Sequence, residues 1–317
     1  MSRNKVNIKM ELNKRLDELL RIGVKKTNEN RELRQDKNPN RYEGIHSVKT
    51  ADTYRRTINQ LGDFCKQNGV KRMEQIDGKV IRDFISERQS NSKWTHSKDL
   101  AAINKVLETD YTPKQFGIEQ RSQDQIVHNR RILTENSTAD KARNQDALRF
   151  VQATGCRRSS LYKVTSDHAI WNRDKTQIIG FSFQEKGGRE RNALVLPSHR
   201  EMVTEFVQSK INERGEHCRL IDQCDSNANP HFERGVYAQE LYKQMADYRE
   251  RNQDIYCGER FKFINEENYQ KAIRHPRYKA DYVRVCNTKI CAEISQQLGH
   301  NRIDVVINYY LCKWIDK

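Results

Sequence analysis

The chain has 317 residues, of which 35% are hydrophobic and 32% charged, with a formal net charge of +15 and a pI of about 9.4. So basic a chain is typical of proteins that bind a polyanion, and nucleic acid is the expected partner, with an anionic membrane surface as the alternative. No stretch approaches the roughly 18 apolar residues that span a bilayer, and residues 1–20 lack the apolar core of a signal peptide, so we expect no membrane segment and no export.

The eight cysteines are scattered along the chain. This pattern predicts reduced thiols in an intracellular protein, and we expect a cytoplasmic, nucleoid-associated location. His217, Cys218 and Cys224 could be taken for part of a zinc site, but no CxxC or HxxxH pair accompanies them. We therefore expect neither a metal nor another cofactor.

Four helices are predicted in the first 115 residues, with a loose polar segment after the first of them. Residues 1–44 form a basic segment with one short helix, whose leucines recur at helical spacing. Three further helices, beginning at about Ser47, build a small helical domain over residues 45–115. Lysine and arginine recur on the outer faces of these three helices, which favours contacts with DNA phosphates. These residues are Lys49, Arg55, Arg56, Lys66, Lys71, Arg72, Lys79, Arg82, Lys93, Lys98 and Lys105.

A polar linker over residues 116–137 is predicted to lead into a second domain over residues 138–317. This domain opens with a helix over about 138–153, which Gly155 ends. Alternating apolar residues then flank Gly187-Gly188, and this predicts two strands joined by a two-residue loop, since such a loop needs φ > 0. The predicted fold class is therefore mainly α with a small β-hairpin or sheet (α+β).

Two helices are predicted near the C-terminus, over 288–298 and from about 301 to 311, with Gly299 at the end of the first. In the second helix, four residues share one face at 100° per residue, so they are expected to be buried. They are Ile303, Val306, Ile307 and Tyr310. Tyr309 falls beside that face, and a tyrosine hydroxyl can attack a phosphodiester. Tyr310 is therefore predicted to be structural and Tyr309 free to react.

Three motifs in the second domain resemble the tyrosine recombinase (phage integrase) family. Residues 154–161, Thr-Gly-Cys-Arg-Arg-Ser-Ser-Leu, resemble its first box, in which Arg157 would be the first catalytic arginine. Ser160 replaces an acidic residue common there, so support for Arg157 is expected from elsewhere. Residues 185–191, Glu-Lys-Gly-Gly-Arg-Glu-Arg, resemble the hairpin motif whose lysine protonates the leaving oxygen, which implies that role for Lys186. Leu-Gly-His at 298–300 followed by a tyrosine matches the last box, with His300 and the nucleophile Tyr309.

The second box of the family, His-x-x-Arg, is matched less regularly. Its register falls on residues 274–277, where Arg277 fits the second arginine and Arg274 occupies the histidine position. Either Arg274 substitutes for the histidine or His275, one place later, serves instead. We favour Arg274, because it holds the register set by Arg277 and His300. Arg284 is a weaker alternative for the second arginine.

The resemblance implies a site-specific DNA recombinase or integrase of a mobile element, which cuts and rejoins DNA through a 3′-phosphotyrosine without metal or ATP. Its expected partners are double-stranded recombination sites, bound by a homo-tetramer on two duplexes, and the family also allows accessory DNA-bending factors. Two alternatives stay open. One is a catalytically degenerate DNA-binding protein of the same fold, and the other is an enzyme like type IB topoisomerases.

Overall fold

The computed structural model describes residues 7–24, 44–119, 139–140, 142–184, 190–274, 286–300 and 302–311. The chain divides into two compact units, Met1–Ile126 and Val127–Lys317. None of the helices in the described ranges combines the length and apolar character that crossing a bilayer requires.

The first unit is helical throughout its described residues. Its helices are α1 (Ile8–Glu18), α2 (Val48–Gln67), α3 (Gly78–Glu87) and α4 (Lys93–Leu107). Leu12 and Leu16 of α1 are fully buried in the same core as Ile58 and Leu61 of α2. The predicted short helix is thus part of this core. Asp77 begins α3 by accepting hydrogen bonds from the backbone N–H groups of Lys79 and Val80, as an N-cap residue does.

The second unit combines helices with one three-stranded antiparallel sheet in the order β1-β2-β3. Its strands are β1 (Ala169–Trp171), β2 (Ile178–Gln184) and β3 (Glu190–Leu194). Its helices are α5 (Gln145–Thr154), α6 (Arg158–Leu161), α7 (Arg200–Arg214), α8 (Pro230–Glu250), α9 (Arg260–Phe263), α10 (Glu266–Arg274), α11 (Thr288–Gln297) and α12 (Ile303–Val306). The predicted fold class, mainly α with a small sheet, is confirmed.

The sheet lies between two apolar clusters. On one face, Phe181 and Phe183 of β2 pack in a cluster that includes residues of α5 and α7. On the other face, Ile179 and Leu194 pack with residues of α8, α11 and α12. Because both faces are covered, β2 is almost continuously apolar. The sheet therefore forms a rigid support between the first-box segment and the C-terminal helices.

Three local features differ from the sequence prediction. Helix α5 begins at Gln145 instead of about 138, because Asp140 turns the chain by accepting from the backbone N–H of Ala142 at 2.9 Å. The pairing of β2 with β3 ends at Gln184 and Glu190, so five residues join the strands instead of two. Those five, 185–189, lie outside the described residues. Strand β1, only three residues long, was not predicted.

Gly155 ends α5 with φ of +60°, as the sequence predicts for a helix C-terminus. A Cβ at this position would lie 2.3 Å from the ring of Tyr237, so the close approach of α8 also requires glycine. Burial raises the pKa of Tyr237, whose hydroxyl donates to the Leu194 carbonyl at 2.8 Å. This contact holds the start of the first box against α8 and β3.

Gly155→Ala should lower the free energy of unfolding by about 2–4 kcal/mol, because left-handed backbone strain and overpacking against Tyr237 add together. Gly258→Ala is the matched control, since Gly258 also has positive φ but open space around it. The control should cost only about 1–2 kcal/mol. Chemical denaturation measures both, and equal losses would contradict the packing argument.

Candidate functional site

The candidate site is built around the turn that follows α11. Gly299 has φ of +64°, as expected for the residue that ends this helix. The backbone N–H of His300 donates to the carbonyl of Ser295 at 2.7 Å, and the Ser295 hydroxyl donates to the carbonyl of His300 at 3.0 Å. Ser295 is buried, so the turn is tied to the helix that precedes it. The half-buried His300 therefore has a defined position.

Arg157 meets this turn although it lies 141 residues earlier in the chain than Leu298. It directly precedes α6, and its Nη2 donates to the Leu298 carbonyl at 3.4 Å. A Cβ on Gly299 would lie 3.5 Å from Nη1 of Arg157 and 2.9 Å from Cδ of Arg191. The glycine thus lets two arginines approach the turn. Ser160 stands where the resembled motif usually has an acidic residue that could support Arg157. In this chain the Leu298 carbonyl is an acceptor for Arg157.

Arg191, on β3, is the second arginine at the turn and is 6% exposed. Its Nη1 donates to the Gln297 carbonyl, and its guanidinium lies 5.2 Å from the ring centroid of Phe183, a cation–π distance. The Gln297 side chain in turn accepts from the backbone N–H of Leu194 at 2.8 Å. Strand β3 and the end of α11 are therefore joined by two side chains.

Arg234, on α8, is the third arginine and is only 1% exposed. It donates from Nη1 to the Gly155 carbonyl, from Nη2 to the Leu298 carbonyl, and from Nε to the Tyr310 hydroxyl at 3.2 Å. We call Arg157, Arg191 and Arg234 the arginine cluster. A cavity of about 80 Å³ has Arg157 and Arg234 in its wall. Clustered guanidinium groups with fixed geometry can neutralise a phosphate.

Sequence reasoning did not single out Arg191 or Arg234. Arg191 is the last residue of the hairpin motif at 185–191, for which the motif predicts a role only for Lys186. Arg234 carries a signal in its spacing, because it precedes Tyr237, Ala238 and Leu241 on the buried stripe of α8. A charged residue at such a position is unusual and needs buried partners. That signal could have drawn attention to it.

The two tyrosines of the C-terminal segment have different surroundings. The predicted buried face is present: Ile303, Val306 and Ile307 are buried, and Tyr310 is 9% exposed. Tyr309 is half-buried at the edge of the same cluster. The predicted second helix is regular only over α12, and Ile307–Leu311 form a π-helical turn, a feature frequent at functional sites.

The other predicted site residues are not brought to the arginine cluster by any described contact. Lys186, His275, Arg277 and Arg284 lie outside the described residues. Arg274 is the last residue of α10 and is exposed. Among the described residues, no hydrogen bond or ion pair joins it to Arg157 or His300. Arg157 lies against the turn that carries His300, and Tyr309 follows that turn on the C-terminal segment.

A buried hydrogen-bond network holds the middle of α11. Glu293 is 4% exposed and accepts from the Tyr256 hydroxyl at 2.5 Å and from Nη2 of Arg249 at 2.6 Å. Burial, together with the Glu293 carboxylate, holds the pKa of Tyr256 well above its ordinary value. The phenol therefore stays protonated and donates a hydrogen bond to the Glu293 carboxylate. This network fixes the helix that presents Leu298 and His300.

Comparison with known proteins gives one family match. Residues 41–109 match the family model described as phage integrase, N-terminal SAM-like domain. The match lies within the first unit. This confirms the resemblance of the sequence to the tyrosine recombinase (phage integrase) family.

Two solved structures of the XerH site-specific recombinase are similar to this chain. One, bound to palindromic difH substrate in a post-cleavage complex, has 14% identity and a TM-score of 0.42, covering 84% of this chain and 93% of the other. The second, bound to difH substrate in a pre-cleavage complex, has 12% identity and a TM-score of 0.46, covering 97% and 95%. No curated protein matches the chain.

Glu293→Gln should reduce the free energy of unfolding by about 2–4 kcal/mol, because the donors Tyr256 and Arg249 would lose the carboxylate that accepts their hydrogen bonds. Glu267→Gln is the matched control, since Glu267 pairs with Lys271 on the exposed face of α10. Exposed pairs contribute little, so this change should leave the unfolding midpoint where it is. A Glu293→Gln protein as stable as the control would show that the network does not hold α11.

Proposed function

We propose that this protein is a site-specific DNA recombinase or integrase, which cuts and rejoins DNA through a 3′-phosphotyrosine intermediate without metal or ATP. The observation that carries the proposal is the meeting of Arg157 with the Leu298–His300 turn, 141 residues apart in the chain. These are the first and last motifs that resemble the family, and the half-exposed Tyr309 follows on the same segment.

Each proposed residue has a task that phosphodiester cleavage requires. Arg157 and Arg277 would neutralise the nonbridging oxygens, because a planar guanidinium binds two oxygens and stays charged. His300 would donate to the same phosphate. Tyr309 would attack phosphorus in line with the bond to the 5′ oxygen. Lys186 would give a proton to that oxygen as it leaves.

In each step of the proposed reaction, one phosphorus–oxygen bond forms and one breaks. Attack by Tyr309 forms one phosphorus–oxygen bond and breaks the bond to the 5′ oxygen, which leaves as a hydroxyl. A 5′-hydroxyl of the partner duplex then attacks the phosphotyrosine and releases the tyrosine. Since one phosphodiester is exchanged for another, no ATP is needed. No step in this sequence calls for a metal ion.

The surroundings of the two tyrosines support Tyr309 as the nucleophile. Tyr310 is buried, its hydroxyl accepts from Arg234, and its carbonyl accepts from Gln239 at 2.9 Å. A side chain held in this way cannot easily reach a DNA strand. Tyr309 is half-buried and lies at the edge of the apolar cluster.

The second box is proposed to supply Arg277 as the second clamp and Arg274 in the usual place of the histidine, with His275 as the alternative. Arg274 is exposed, so its guanidinium is accessible to a DNA phosphate. Among the described residues, however, no hydrogen bond or ion pair joins Arg274 to the arginine cluster. This irregularity is the observation that favours the second candidate function, a DNA-binding protein of this fold that has lost catalysis.

Double-stranded recombination sites are the proposed partner. In the first unit, exposed Lys49, Arg56, Lys79 and Arg82 lie on α2 and α3 and suit phosphate contacts. We propose residues 45–115 as the core DNA-binding domain, with residues 138–317 as the catalytic domain. A homo-tetramer on two duplexes would follow from strand exchange between two sites, with accessory bending factors as further partners.

Tyr309→Phe should abolish covalent trapping of DNA on a nicked site and leave DNA binding within a few-fold of wild type. Tyr310→Phe should still form the adduct, because the attacking hydroxyl remains. Peptide mapping of the adduct by mass spectrometry identifies the tyrosine. An adduct on Tyr310 would contradict the assignment, and a wild-type protein that binds a cleavable site without any adduct would favour the degenerate binder.

Lys186→Ala should slow cleavage of ordinary DNA by about 10²–10⁴-fold, as the loss of a general acid does. A 5′-bridging phosphorothioate has a leaving group that needs little protonation, so it should restore cleavage by this variant. Arg157→Ala is the control, because it removes charge stabilisation of about 10²-fold or more that the sulfur cannot replace. Single-turnover rates on both substrates decide, and failure of Lys186→Ala on both would remove Lys186 from the role.

A further inference from the structure

Two cysteines lie together at the start of α11. Cys286 precedes the N-cap residue Asn287, and Cys291 is the fourth residue of the helix. Side chains at these two positions meet when the residue before a cap packs against the first turn. Both belong to the same apolar cluster, with Cys286 8% exposed and Cys291 0% exposed. Both are thiols in this structure.

The start of the helix holds Cys286 beside the first turn. The Asn287 side chain accepts hydrogen bonds from the backbone N–H groups of Lys289 and Ile290, at 3.1 and 3.2 Å. The backbone N–H of Asn287 donates to the Tyr242 hydroxyl at 2.7 Å, which ties the residue after Cys286 to α8. The two sulfur atoms therefore approach each other in an ordered part of the fold.

The two thiols are hydrogen-bonded to each other and are not equivalent. The bond from Cys291 lowers the pKa of Cys286 although burial opposes this, whereas the same bond and burial both raise the pKa of Cys291. Cys65, buried in the core of the first unit, gives the contrast, since burial raises its pKa to about 11. A position at a helix N-terminus also favours a thiolate. Cys286 is therefore the more nucleophilic thiol of the pair.

We propose that Cys286 and Cys291 form a redox modification site, which closes to an intrachain disulfide by exchange with a small-molecule disulfide. The Cys286 thiolate attacks one sulfur of that molecule, forms a mixed disulfide and releases one small thiol. The Cys291 sulfur then attacks Sγ of Cys286 and expels the second small thiol. Two electrons pass from the protein dithiol to the small disulfide, and the two protons of the dithiol end on the two released thiols.

The placement of the pair suits this reaction. A sulfur–sulfur bond of about 2.05 Å is shorter than a hydrogen-bonded contact, so one sulfur must move. Cys286 lies outside the helix, and rotation of its side chain can supply the movement. It is also the more exposed of the two, so a reagent reaches it first. The disulfide would hold the start of the helix whose other end presents Leu298 and His300.

The test uses the reduced full chain, with glutathione disulfide as the probe. After the remaining thiols are alkylated, trypsin cuts between the two cysteines at Lys289, so the disulfide would join peptide 285–289 to peptide 290–302. Mass spectrometry of the wild-type protein should find this joined pair, and dithiothreitol should separate it. The pair should form about tenfold or more faster than a mixed disulfide at Cys65.

A folded protein that never gives the joined pair would overturn the proposal, and so would a pair that forms only in denaturant. The crosslink is measured in wild type, so this outcome does not depend on whether a variant folds. DNA is absent from the assay and the inference does not rest on the proposed function. Failure of either one is therefore distinguishable from failure of the other.

Three variants test the order of the two steps. Cys291→Ser should stop at a mixed disulfide on Cys286, whereas Cys286→Ser should leave the fully buried Cys291 unreacted. Cys65→Ser is the matched control, because it removes a buried thiol from the other unit, and it should give the joined pair at the wild-type rate. A mixed disulfide on Cys291 in the folded Cys286→Ser protein would overturn the assignment of Cys286 as the attacking thiol.

Discussion

The Leu298 carbonyl is the acceptor on which the candidate site depends. The last carbonyls of a helix have no partner within the helix and carry partial negative charge. Here that carbonyl accepts from Nη2 of both Arg157 and Arg234, which come from distant parts of the chain. The helix terminus thus becomes the point at which the first motif, α8 and the last motif meet. Gly299 is required next to it, because a Cβ would collide with Arg191.

The same arrangement explains how the fold tolerates positive charge in its interior. Arg191 and Arg234 are buried, and their described acceptors include backbone carbonyls. Carbonyl dipoles solvate a guanidinium but do not neutralise it. A cation in a low-dielectric interior acts on an approaching anion more strongly than it would at the surface, because screening is weaker there. Stability and anion binding therefore make opposite demands on these residues.

Periodicity predicted the parts of the fold that depend on local sequence. Helix α11, its terminal glycine and the buried face from Ile303 to Tyr310 were all predicted from spacing, because a helix repeats over a few residues. The helices of the first unit followed for the same reason. The short motifs predicted Arg157 and His300 as candidates, and the structure brings both to one turn, although their catalytic roles stay predictions.

Features that depend on distant contacts were not predictable in this way. Helix α5 begins late because of a local turn at Asp140, and the buried Asn144 that precedes the helix binds Asp225, 81 residues away. Arg234 reaches Leu298 across 64 residues, and nothing in its own segment indicates that partner. Strand β1 has only three residues, too few to show alternation. Tertiary contacts determine these features, and they override the preference of the local sequence.

Tyr309 and Tyr310 are chemically identical, so any difference in reactivity must come from their surroundings. Adjacent residues of a helical segment project in directions roughly 100° apart, and burying one turns the other toward the edge. The bond from Arg234 places Tyr310 in the core. The packing that stabilises the C-terminal segment therefore also leaves Tyr309 accessible. Under the proposed function, the way the core closes around Tyr310 would decide which of the two neighbouring hydroxyls reacts.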